Sequence, residues 1–177
     1  MHGVIYSLSS VLPTNILILI YNTLIYTLII QNIILWGGSP SVHINKIQII
    51  MNKILRTIFH IRFDENHIPL VSTNEMYKSN KLMQFQEIYE YFLLRFIHFS
   101  FYQKIDIFNK FYLPLLPTHN YSTRNKRINL PNVRLELEKQ SVLFQSCSLL
   151  NKLPEELLVP QSKTSLKRKF KSYLFLD

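Results

Sequence analysis

The sequence predicts a mainly α protein, and three observations predict it. Apolar residues recur at helical spacing over 44–58, aromatic residues do so over 82–99, and Gly or Pro falls between the periodic stretches, at 37–40, 114–117 and 154–160.

The first element is a long apolar run over residues 14–36, from Thr14-Asn15-Ile16-Leu17 to Ile34-Leu35-Trp36, with no charge in it. Its length suffices to cross a bilayer. Asn15, Asn22, Thr23, Thr27, Gln31 and Asn32 are many polar groups for a lipid-facing span and weigh against one, and with no basic cluster before the run and no small-residue cleavage site after it a secretory signal peptide is not expected. A single-span membrane protein with a basic cytoplasmic tail is the alternative. Gly37-Gly38-Ser39-Pro40 ends the run, with Ser39 expected as a cap and Pro40 as a first helical residue.

The next helix places Ile44, Ile47, Ile50, Met51, Ile54, Leu55 and Ile58 on one stripe. Asn45, Lys46, Gln48, Asn52, Lys53 and Arg56 fall mostly opposite, a solvated face or a row of donors and cations suited to a phosphate backbone. Asp64-Glu65-Asn66-His67-Ile68-Pro69 predicts a loop. A second strong helix is expected over 75–102, where Leu82, Phe85, Tyr89, Phe92, Phe96 and Phe99 follow alternating three- and four-residue steps. Aromatics in that register are expected in the core, flanked by Ile88, Tyr91, Leu94 and Ile97. Residues 118–135 have the polarity of a loop or short strands, and two shorter helices are expected at 139–151 and 162–175.

Charge sorts along the 177 residues. Residues 1–45 carry none, 46–118 hold nine basic and six acidic residues, and 119–177 hold eleven basic and five acidic. The net charge of +9 points to polyanionic partners, and 47% hydrophobic with 13% aromatic residues supplies a core. Three segments are expected: 1–62, 63–118 with the long aromatic helix, and a basic 119–177. The chain has no alanine and only three glycines, which predicts an AT-rich coding region. A GC-rich gene would refute that.

Candidate chemistry is sparse. Polymerisation needs carboxylates that hold paired magnesium ions, and the three aspartates, Asp64, Asp106 and Asp177, form no Asp-Asp pair. Asp64-Glu65 and Glu155-Glu156 sit beside turn signals. Cys147 stands among apolar and small residues, so a buried inert thiol is expected, and neither a disulfide nor a cysteine-based zinc site can form from one cysteine. No catalytic residue, metal, cofactor or small-molecule substrate is expected.

Several stretches, in order, resemble the region downstream of the polymerase palm in jockey-like non-LTR (LINE-type) retrotransposon reverse transcriptases. These are Leu12-Pro13, Leu19-Ile20-Tyr21-Asn22-Thr23-Leu24-Ile25 and Leu35-Trp36-Gly37; then Ile47-Gln48 and Asn52-Lys53-Ile54-Leu55-Arg56. His119-Asn120-Tyr121-Ser122-Thr123-Arg124 is the most specific, followed by Leu130-Pro131, Arg134, Ser141-Val142, Asn151-Lys152-Leu153-Pro154, Ser165-Leu166-Lys167 and Tyr173-Leu174. The chain departs from the family at Thr27 and Gln31, at Met51, and at Leu150 where the family has Trp.

The resemblance implies thumb-like antiparallel helices over 1–62, followed by a basic helical C-terminal region with loops. It implies a truncated fragment of an RNA-directed DNA polymerase, without palm or endonuclease, and no enzyme on its own. The helix at 44–58 would lie along a template–primer duplex, with Lys46, Lys53 and Arg56 on phosphates. Arg124, Lys126, Arg127 and Arg134 would form a second patch, and Lys167, Arg168, Lys169 and Lys171 a third. The expected partner is the backbone of RNA or of an RNA–DNA duplex. The expected compartment is nuclear or cytoplasmic, with the membrane as alternative.

Overall fold

The computed structural model describes residues 2–61, 63, 70–102, 130–154, 157 and 162–175, and it is mainly helical, with no strand among the described residues. The loop expected at Asp64–Pro69, the stops at Pro114 and Pro117, the His119–Arg124 block, Asp106, Asp177 and the Glu155-Glu156 pair lie outside the described residues. The helices are α1 (His2–Ser9), α2 (Thr14–Ile20), α3 (Thr27–Ile30), α4 (Ile33–Trp36), α5 (Ser41–Ile58), α6 (Thr73–Ser79), α7 (Phe85–Tyr102), α8 (Val142–Lys152) and α9 (Lys163–Phe175). A π-helical turn, Tyr21–Tyr26, joins α2 to α3, and a 3₁₀ turn, Glu138–Gln140, precedes α8. The chain divides into two compact units, Met1–Ile33 with Ser39–Ile88, and Ile34–Gly38 with Tyr89–Asp177.

In the first unit α1 lies against α5, and α2 touches both. The buried residues of the opening run, Leu17, Tyr21, Ile25, Ile29 and Ile33, are spaced four apart. On a regular α-helix that spacing drifts by about 40° per step. The π turn bonds i to i+5 and so takes more residues per turn, which keeps the stripe facing inward. Thr23 and Thr27 donate their hydroxyls to the carbonyls of Leu19 (2.9 Å) and Thr23 (2.5 Å). Two of the polar groups that count against a lipid-facing span, Thr23 and Thr27, thus bond to carbonyls of the preceding turn.

The run is not one helix. Gln31 is extended and Asn32 takes the left-handed region at φ 55°, which breaks the helix after Ile30. Among the described residues no helix is long and apolar enough to cross a membrane.

Helix α5 starts one residue later than expected. Pro40 is itself the cap, with extended ψ of 144°, and its carbonyl accepts from the amides of His43 and Ile44. Ser39 therefore lies too early to cap. Met51, Ile54, Leu55 and Ile58 are buried as expected, but Ile50 is 53% exposed. The helix expected over 75–102 is two helices. Asn80 and Lys81 (φ 52°) end α6, and the Leu82 amide bonds back to the Tyr77 carbonyl. A capping pair that the periodicity does not show opens α6: Ser72 Oγ accepts from the Glu75 amide at 3.2 Å.

In the second unit the interior face of α7 is Tyr89, Tyr91, Leu93, Leu94, Ile97 and His98. The Phe170 ring of α9 lies 5.7 Å from that of Tyr91, and His98 Nε2 bonds the Leu157 carbonyl at 2.8 Å. These partners fix the helix rotation, so Phe92 and Phe96 are only half-buried and Phe99 is 47% exposed. The core placement expected for those three rings is corrected. Ser141 caps α8 by accepting from the Phe144 amide, and Ser162 Oγ accepts from the Ser165 amide at the start of α9. Gly38 meets two partners closely. A Cβ there would stand 2.7 Å from the Gln140 carbonyl oxygen and 3.2 Å from the Tyr89 hydroxyl, so the crossing has room for hydrogen only.

Candidate nucleic-acid interface

Among the described residues, the basic side chains singled out in the sequence fall into two sets, one in each unit. In the first unit Lys46 and Lys53 are exposed on α5, seven positions apart and so about 10 Å along the axis on nearly one line. Between them Ile49 and Ile50 are also exposed, at 52% and 53%. Neither lysine has a carboxylate partner among the described residues.

Arg56 does not join them at the surface. It is half-buried, and its Nη2 donates to Thr73 Oγ1 at 2.7 Å, tying α5 to the first residue of α6. Its Nε is buried without a hydrogen-bond partner. Gln48 and Asn52, also expected on the outward side, turn in as well. Gln48 Nε2 donates to Asn52 Oδ1 (2.7 Å) and to the Tyr77 hydroxyl (3.0 Å), and Tyr77 donates to Asn52 Oδ1 (3.1 Å). Gln48 Oε1 accepts from the Phe85 amide at 2.8 Å, capping α7 from another helix. Burial, opposed by the Gln48 hydrogen bond, pushes the Tyr77 hydroxyl up to about 12, and burial raises the Tyr21 hydroxyl as well.

In the second unit α9 carries five basic residues and no acidic one. Lys167, Arg168 and Lys169 are exposed opposite the buried Leu166 and Phe170, and Lys171 is half-buried. Leu166 and Phe170 sit four apart on the packed side, which forces the three intervening cations outward. Arg134 is exposed too, its amide bonded to Glu138 Oε2 at 2.9 Å. Arg124, Lys126 and Arg127 lie outside the described residues.

Cys147 is fully buried, and burial raises its thiol pKa, so the thiolate is disfavoured. Among the described residues no group of three or more His, Cys, Asp or Glu side chains could hold a metal ion. The sequence reading passes over one charged feature, Arg95 of α7, whose guanidinium carbon lies 5.8 Å from the Phe92 ring centre. Its i, i+3 spacing was the available signal.

No family model, curated protein or solved structure matches this chain.

Proposed function

We propose that this chain binds nucleic acid through its phosphates without reading base sequence, as the thumb and post-thumb region of a jockey-like non-LTR reverse transcriptase. The polymerase reaction would belong to a palm domain rather than to these residues, and the binding would take place in the nucleus or cytoplasm. The observation that carries the reading is α9, where three consecutive exposed cations stand without an acidic residue in their helix. Exposed Lys46 and Lys53 support a second contact line along α5. Such groups release counterions when they meet phosphates, so binding weakens steeply with salt.

The test is fluorescence anisotropy on an RNA–DNA duplex across a salt series. Neutralising Lys167, Arg168 and Lys169 together to Gln should lower the slope of log K against log salt by about 2, at about 0.9 per lost contact. Three adjacent helical residues span too wide an arc for all to reach one strand, so two lost contacts are expected. Lys46→Gln with Lys53→Gln removes two contacts on one line and should likewise lower it by about 2. An unchanged slope and affinity in both variants refutes the proposal.

A further inference from the structure

Within the second unit, Ile34, Phe92, Arg95, Phe96 and Phe99 line an open cavity of about 320 Å³. Phe92, Phe96 and Phe99 lie at i, i+4 and i+7, hence on one side of α7. They hold core spacing yet remain half-buried or exposed, while Tyr91, Leu94 and Ile97 fill the interior. Arg95 stands among them, over the Phe92 ring and without a carboxylate partner among the described residues.

We infer that this groove is a stacking platform for an unpaired base of single-stranded nucleic acid, with Arg95 holding the adjoining phosphate. Rings give a flat π surface that accepts any base, and a cation beside them selects a ligand that is both planar and anionic. The net charge of +9 draws the same ligand. The cavity equals roughly ten water volumes, room for a heterocycle with its sugar. The inference deepens the proposed nucleic-acid binding, but it uses none of the residues assigned to the duplex.

The experiment measures anisotropy of a labelled oligo(dT) of about 12 nucleotides, within the usual range for such platforms, against an abasic strand of equal length and the RNA–DNA duplex. Phe96→Ala with Phe99→Ala should weaken oligo(dT) binding about 10-fold or more, leaving the abasic strand and the duplex bound as before. Arg95→Gln should weaken oligo(dT) and the abasic strand alike. Phe99→Ala alone, at an exposed position, keeps the test valid if the pair unfolds, and should still weaken oligo(dT) selectively.

Oligo(dT) binding unchanged by these substitutions, or an abasic strand bound as tightly as oligo(dT) by the unaltered chain, overturns the inference. So does saturable binding of decanoate that the Phe substitutions abolish while oligo(dT) is untouched, because the groove then serves an anionic amphiphile. Selective loss of oligo(dT) binding with no duplex binding by the unaltered chain upholds the platform and refutes the duplex proposal.

Discussion

Replacing Gln48 with Leu keeps the bulk of a half-buried side chain and removes its carboxamide. Three hydrogen bonds go with it, to Asn52, to Tyr77 and from the Phe85 amide. Asn52 Oδ1 and the Tyr77 hydroxyl keep each other, so the damage concentrates at the start of α7. There the Phe85 amide loses the oxygen that caps it, in a residue that is 0% exposed. Depriving a buried donor costs about 1–3 kcal/mol, and each of the two lost neutral bonds adds about 0.5–1.5 kcal/mol. Leu recovers part of this by burying apolar surface, which leaves a net loss of about 2–3 kcal/mol. Tyr77→Phe deletes only the hydroxyl and leaves Gln48 joined to Asn52 and Phe85, so it should cost about 1 kcal/mol. Urea unfolding followed by circular dichroism reads both. With a slope of about 1–3 kcal/mol per molar, Gln48→Leu should move the midpoint by about 1 M or more. A Gln48→Leu midpoint equal to that of the unaltered chain, or a Tyr77→Phe loss larger than the Gln48→Leu loss, refutes the assignment of Gln48 as the hub.

Two further outcomes follow from the second unit. Gly38→Ala should destabilise by about 1–3 kcal/mol, because the new methyl meets a backbone carbonyl that has to shift. Wild-type stability in a thermal melt of this variant would mean the crossing is looser than described. His98 gives a pH dependence: burial lowers its pKa below 6.5, partly offset by the bond to the Leu157 carbonyl. The unfolded chain then takes up the proton first, so stability is complete above 6.5 and declines as pH falls from there toward the lower folded value. His98→Gln, which can still donate to Leu157, should flatten that part of the stability–pH curve; an unaltered curve would show that the buried imidazole is not its source.

The helical class was legible because periodicity needs only local sequence, and α5, α8 and α9 fall where spacing places them. What escaped were features decided by other parts of the chain. Lys81 ends α6 in a left-handed conformation that propensity assigns to Gly or Asn, so the split of the 75–102 stretch carries no residue signal at the break itself. The Ser72–Glu75 cap was readable and is the clue that α6 begins on its own. The rotation of α7 depends on Phe170 and Leu157, far along the chain, and no spacing within 82–99 records it. For the basic residues, sequence finds the cations but not which have partners. Lys53 and Arg56 look equivalent on a helical wheel, yet Thr73 draws one of them inward.

The meeting of Gly38 with Tyr89 and Gln140 also dictates an order of assembly. Every residue of the first unit has been synthesised by position 88, whereas the second waits for a carbonyl at position 140. A ribosome delivering the chain from its start therefore lets the first unit consolidate while Tyr89 still lacks one of its neighbours. Slow translation between those positions lengthens the interval in which the nascent chain shows sticky surface to chaperones.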